Sequence, residues 1–203
     1  MNFAFYISGY AGTFRNILIS NLDVLTNTKL VVSDCRENID LKSPLKHFNI
    51  KYSVNDYNDS FSDYMLNLFL ENQIDYCFCF GHHILKGKIL DTFKNKIINF
   101  HPSILPLHPG VNSIDQAMLD NKSILLGNTA HFIDNGVDTG PIIMQSIAPK
   151  TLFKTQGYKG IIDLQLPMLE FIYKKLLENK IIIKNNKVTI KNTQCTPSYF
   201  YNN

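Results

Sequence analysis

Apolar residues in this chain fall into short blocks whose spacing alternates between two periods. Residues 2–8 form a strand-length apolar run. The turn Gly9-Tyr10-Ala11-Gly12 follows, and Thr13 stands as a helix N-cap before Arg15-Asn16-Ile17-Leu18-Ile19. Further apolar runs occupy residues 29–33, 49–54 and 75–80, the last almost without a polar position. Continuous apolar strands of this kind belong to a sheet covered on both faces. Within residues 59–71, Phe61, Met65, Leu68 and Phe69 recur at helical spacing, and residues 85–93 leave room for a short helix before an apolar run at 96–100. Strands alternating with helices predict an α/β fold: a Rossmann-like, mostly parallel twisted sheet flanked by helices and joined by right-handed crossovers.

The second half keeps the pattern and loosens it. Residues 101–110 carry three prolines and a glycine, which excludes helix and central strand and leaves an ordered loop. Asn112 or Ser113 caps a helix running through Leu119. Strands are expected over 127–133 and 140–147, joined by the turn-rich Asp134-Asn135-Gly136-Val137-Asp138-Thr139. A long C-terminal helix is expected over 160–179, with Ile161, Leu164, Met168, Phe171, Ile172 and Leu176 inward and Pro167 marking a kink or a start. Short mixed runs at 180–190 and 194–201 predict a terminal β-hairpin. The domain reading is one catalytic-type domain over 1–150, with the helix and hairpin of 151–203 packed on it.

Composition narrows the classes. With 203 residues, 45% hydrophobic and 18% charged, the chain is far from the disordered regime. A net charge of +3 without a local basic cluster argues against a nucleic-acid partner. The N-terminus has no basic region and only a strand-length apolar run, so a cytoplasmic protein without signal peptide or membrane span is expected. Cys35, Cys77, Cys79 and Cys195 lack paired CxxC spacing, which favours reduced, structural cysteine over a metal site. The aromatic ending, Tyr199-Phe200-Tyr201, offers a surface for a base or for self-association, and a homodimer is one assembly it allows.

Two places have the residue types for chemistry. The glycine turn before a helix offers unpaired N–H groups that suit an anion, but it is neither GxGxxG nor a P-loop, and a bare tight turn explains the glycines equally well. The stronger signal is Asn99-Phe100-His101. Residues two apart on a strand project together, so an amide donor and a titratable base emerge at the strand's carboxyl end, where α/β sheets place ligands. Asp138, with Asp134 as competitor, supplies a carboxylate to orient or charge the imidazole. His47, His82, His83, His108 and His131 are read as structural.

Asn99-Phe100-His101-Pro102-Ser103-Ile104-Leu105-Pro106 with Pro109-Gly110 resembles the NxHPSLLP…G motif of the folate-dependent formyltransferases. Residues 131–140, from His131-Phe132-Ile133 to Asp138-Thr139-Gly140, resemble their HFVxxxxDxG motif. The resemblance implies Asn99, His101 and Asp138 as catalytic residues, N10-formyltetrahydrofolate as formyl donor and no metal. It also implies a pterin slot formed by Phe80, Gly81, Ile84 and Leu85 with the backbone of Asn135, Gly136 and Val137. Its members formylate small amines or initiator tRNA, and the chain length favours a small acceptor. The turn Gly9, Tyr10, Ala11, Gly12 and Thr13 replaces a phosphate-cradling Gly-x-Gly-Ser-Asn, with Phe14 where the Asn belongs, and Gln165 stands where an acidic residue meets the acceptor. These departures make an amino-sugar nucleotide the expected acceptor, with glycinamide ribonucleotide of purine synthesis as the alternative. A non-catalytic folate- or nucleotide-binding module is the reading from another class.

Overall fold

The computed structural model describes residues 1–193, with Tyr158 by its backbone alone. Nine strands and seven α-helices lie among these residues. Seven strands have the order β3-β2-β1-β4-β5-β6-β7, and β8 and β9 form a separate hairpin. The chain divides into two compact units, Met1–Phe100 with Phe132–Val137, and His101–His131 with the residues from Asp138 onward.

The first unit is a parallel sheet of β1 (Phe3–Ile7), β2 (Thr28–Ser33), β3 (Lys51–Val54), β4 (Tyr76–Phe80) and β5 (Ile97–His101), whose last residue opens the second unit. Register explains the composition of the two faces. Phe5 lies opposite Phe78 and Ile7 opposite Phe80, so one face is aromatic. The Phe3 and Phe78 rings stack with centroids 5.5 Å apart, and Phe80 stacks on Phe100 at 4.9 Å. Phe14 of α1 (Gly12–Ile19) covers Phe5 at 4.9 Å. Each such pair adds about 1 kcal/mol beyond its burial. On the other face Ala4 meets Cys77 and Tyr6 meets Cys79. Ala4, Cys77 and Cys79 are small, so Phe61, Met65 and Phe69 of α3 (Phe61–Glu71) and Ile89 of α4 (Lys88–Thr92) pack on this face beside the Tyr6 ring. Burial raises the Cys77 thiol pKa, and Cys35, Cys77 and Cys79 form no disulfide.

In the second unit β6 (Leu125–Phe132) and β7 (Ile142–Pro149) pair antiparallel, from Leu125 opposite Pro149 to His131 opposite Ile142. A smaller core joins Ile114 and Ala117 of α5 (Ser113–Leu119), Leu126, and Ile161 of α7 (Tyr158–Leu177). Gly127 is required here, because a Cβ would lie 2.1 Å from the Ser146 carbonyl oxygen. The hairpin is β8 (Ile181–Lys184) and β9 (Lys187–Ile190). The part of the tail expected at 194–201, with its aromatic ending and Cys195, lies outside the described residues.

Several local expectations need correction. Thr13 is not the N-cap: the helix starts at Gly12 after Ala11 in the left-handed region (φ 54°), and no side chain caps it. Two short helices carry no expected pattern. The first, α2 (Lys42–His47), buries only Leu45, and α6 (Lys150–Gln156) buries nothing, so neither displays a periodic apolar stripe. Helix α7 begins at Tyr158, well before Pro167, so the proline does not start it. Phe171 is only half-buried, while Leu169 and Tyr173 join the core.

Candidate active site

In the second unit, His101 ends β5 and the chain then turns into the proline-rich loop. That loop is held by side chains at several points. The Leu105 N–H donates to Thr129 Oγ1 at 2.9 Å, Thr129 Oγ1 donates to the Ser103 carbonyl at 2.8 Å, and Gln145 Nε2 donates to the Leu105 carbonyl at 2.8 Å. Ser103 is fully buried and its hydroxyl donates to the Leu107 carbonyl at 2.7 Å. The Leu105–Pro106 peptide is cis.

This loop presents the His108 carbonyl 2.9 Å from His101 Nε2. A carbonyl only accepts, so Nε2 carries the proton. The other ring nitrogen, Nδ1, lies 3.3 Å from Asp138 Oδ2. The same oxygen accepts the Gly110 N–H at 2.8 Å, and Oδ1 lies 3.4 Å from His131 Nε2. One carboxylate therefore stands between two imidazoles, with His101 and His131 almost fully buried and the Asp138 side chain 13% exposed. Asp138 adopts φ 53°, a left-handed conformation that aspartate tolerates better than most residues.

The electrostatics follow from burial and these partners. Desolvation lowers the His101 pKa below its ordinary value, against the raising effects of the His108 carbonyl and Asp138. For Asp138, burial acts to raise the pKa, but the His131 hydrogen bond, the Gly110 N–H and, once acid has protonated the ring, the charge of His101 together bring it below the usual carboxylate value. The pair is thus a neutral ring beside an ionised carboxylate near neutral pH. A proton accepted by the ring arrives at Nδ1, facing Asp138. His131 and Thr129 were not singled out by sequence reasoning. The available signal was their period-2 spacing on β6, which puts both on one side of the strand.

Asn99 is half-buried in the first unit, on β5, in register with Cys79. Asp134 Oδ1 accepts the Gly136 N–H at 3.0 Å and shapes the turn. Asn135, Gly136 and Val137 are exposed, as is Ile84, whose side chain stands in water with 63% of its surface; Phe80 is half-buried. Leu85 is buried in the core with Ile89, so it is not a surface residue. At Gly81 a Cβ would fall 2.0 Å from the Tyr6 ring, which is the packing reason for glycine there. Gln165 is buried and its Nε2 donates to Asn128 Oδ1 at 3.0 Å.

At the glycine turn, Gly9 and Ala11 both adopt positive φ. The Asn38 amide donates to the Gly9 carbonyl at 2.7 Å, and Arg15 Nε donates to the Tyr10 carbonyl at 2.8 Å. Arg15 is also clamped by Asp40 through both carboxylate oxygens, at 2.6 and 2.9 Å, with its guanidinium over the Tyr10 ring. The Arg15 bond holds the Asp40 carboxyl below its usual range. Gly9, Tyr10, Arg15, Glu37, Asn38 and Asp40 line a hollow of about 360 Å³. Thr13 follows as the second residue of α1. Among the described residues no group of three or more His, Cys, Asp or Glu is arranged to hold a metal, and no helix is long and apolar enough to cross a membrane.

A buried carboxylate–imidazole pair at the end of a parallel strand is an arrangement that can accept and return a proton. The family model for formyl transferases matches residues 1–155, and the chain belongs to the folate-dependent formyltransferase family. The phosphoribosylglycinamide formyltransferase of Bacillus subtilis is 46% identical over 62 residues, 30% of this chain and 31% of that protein. The chain thus spans about a third or less of the length of the first curated relatives it matches. Among solved structures, glycinamide ribonucleotide transformylase 1 of Geobacillus kaustophilus superposes with a TM-score of 0.72 at 27% identity, covering 87% of this chain and 98% of that one. A formyltetrahydrofolate deformylase from Pseudomonas syringae shares the fold, with a TM-score of 0.78 at 21% identity over 93% of this chain and 65% of that one.

Proposed function

We propose that this chain moves the formyl group of N10-formyltetrahydrofolate to the primary amine of glycinamide ribonucleotide. The observation that carries the transfer chemistry is the His101–Asp138 pair, 3.3 Å apart and shielded from water. Its neutral imidazole accepts the proton shed by the attacking amine, and the new charge on Nδ1 forms against an ionised carboxylate. The family motif assigns the Asn99 amide as the donor for the oxygen that becomes negative as nitrogen adds to the formyl carbon. The bond from that carbon to the folate nitrogen breaks, and the proton held by His101 passes to the departing nitrogen. His131 and the Gly110 N–H keep the carboxylate oriented. The family resemblance assigns the pterin of the donor to Phe80, Gly81 and Ile84 with the backbone of Asn135, Gly136 and Val137, and the exposure of Ile84 and Val137 leaves apolar surface for a flat ring. No metal takes part in this scheme.

The relative from Bacillus subtilis supports the ribonucleotide acceptor over the amino-sugar nucleotide expected from the turn and from Gln165. One observation keeps the sugar nucleotide as a second reading: Arg15, the one cation among the described residues lining the hollow beside Gly9 and Tyr10, is already paired with Asp40, which leaves less positive charge for a phosphate. The test supplies N10-formyltetrahydrofolate with glycinamide ribonucleotide or a panel of amino-sugar nucleotides and follows release of the deformylated folate. Turnover with glycinamide ribonucleotide alone supports the first reading, turnover with a sugar nucleotide alone the second. Release at an equal rate without any acceptor contradicts both.

A further inference from the structure

A second concave surface lies wholly within the first unit, at the amino-terminal ends of β2 and β3, the opposite edge of that sheet from the glycine turn. It is a hollow of about 510 Å³ whose lining includes Lys29, Lys42, Lys46 and Lys51, with Asn49 and Asn72. Strand register puts Lys51 opposite Leu30, next to Lys29. Helix α2 presents Lys42 and Lys46 four residues apart, on one side. The sequence shows no basic run here, because the four lysines come from three separate segments and only the fold assembles them.

Their charge is poorly answered. Lys51 lies 3.8 Å from a Glu71 carboxylate oxygen, and Asp75 nearby accepts the Asn2 backbone N–H. Among the described residues, Lys29, Lys42 and Lys46 have no carboxylate within ion-pair distance. By contrast Lys86, Lys159, Lys175 and Lys180 each sit within 3 Å of one. Lys46 in the last turn of α2 favours the negative end of that helix, but this explains one lysine of the four. Like charges gathered around one hollow repel, and a multiply charged anion relieves that repulsion while the exposed ammoniums keep their water until it binds. A single phosphate carries too little charge to answer four ammoniums, whereas a chain of three phosphates carries enough, and the volume lies in the range of small-ligand sites.

We infer that the hollow lined by Lys29, Lys42, Lys46 and Lys51 binds a chain of linked phosphates, as found in inorganic polyphosphate or a nucleoside triphosphate. This site is independent of the formyl-transfer chemistry. It is tested by calorimetric titration of the full chain, at low salt and without divalent cations, with tripolyphosphate, ATP and inorganic phosphate. Saturable one-to-one binding of tripolyphosphate is expected, with single phosphate at least about tenfold weaker and affinity falling as salt shortens the screening length. The doubly substituted Lys42→Gln/Lys46→Gln chain loses about tenfold or more in affinity while keeping its melting temperature, and Lys29→Gln/Lys51→Gln repeats the loss from the other segments. Amide NMR shifts at Asn49, Ile50 and Lys51 locate the ligand. ATP binding more tightly than tripolyphosphate identifies a nucleotide as the source, and equal affinity identifies the phosphate chain alone. Absence of saturable binding, affinity unchanged in both double variants, or binding of single-stranded RNA with none of tripolyphosphate overturns the inference.

Discussion

Asp138 and Asp40 are both carboxylates bonded to a cationic or ionisable partner, yet they do different work. Asp138 is almost enclosed and shares its two oxygens among two imidazoles and a backbone N–H. Asp40 keeps 57% of its side chain in water and grips a single guanidinium. Burial makes the first arrangement sensitive to every proton, because a low-polarity setting leaves little solvent to screen a change of charge. Exposure makes the second an ordinary surface pair of small net worth that holds a turn in shape. Enclosure thus separates a carboxylate suited to moving protons from one suited to fixing a backbone.

The sharpest way to break this contrast is at the enclosed group. Asp138→Asn keeps the Gly110 contact but removes the charge beside Nδ1, and formyl transfer is expected to fall by about 100-fold or more in kcat, with His101→Ala falling at least as far. Steady-state rates with the donor and glycinamide ribonucleotide check this. Next in size is Gly81→Ala, where the added methyl meets the Tyr6 ring; a loss of about 1–3 kcal/mol in unfolding free energy is expected from urea titration.

Acidification should reveal the same enclosed pair. The His101 pKa is lowered in the folded chain, so below about pH 6.5 the unfolded chain takes up a proton more readily and stability falls as pH drops toward the folded value. The Asp138 pKa is lowered as well, so its contribution is present above the ordinary carboxylate value near 3.8 and is lost as pH falls through the folded value. Both effects weaken the fold on the acid side. The acid limb of kcat/KM is expected below the ordinary histidine pKa, and His131→Asn moves that limb while lowering kcat about tenfold. Smallest is Arg15→Ala at the exposed pair, which changes the acceptor KM by about threefold to tenfold and leaves the donor KM unchanged.

Much of the first unit was legible because its strands are continuous apolar runs and α3 repeats Phe61, Met65 and Phe69 on one side. Asn99 and His101 were legible through strand alternation, and the family through two motifs. What escaped were features that carry no periodic pattern. Helix α2 holds one buried residue, α6 none, and the turn before α1 is closed by Ala11 in a left-handed conformation rather than by the Thr13 hydroxyl. His131 escaped because a lone histidine on an apolar strand looks like core until its partner, seven residues later across a turn, is known. The four lysines escaped because they are spread over β2, α2 and β3 with no basic run between them, and they share one edge only after the sheet forms.

In the proposed function, an ionised Asp138 beside a neutral His101 drives formyl transfer. The measurement that meets it most directly is the single-turnover rate of formyl transfer to glycinamide ribonucleotide in the unsubstituted chain and in Asp138→Asn, with melting temperatures recorded alongside. A rate reduced by about 100-fold or more in a chain that still melts cooperatively is the predicted result. An undiminished rate in a folded Asp138→Asn chain contradicts the account.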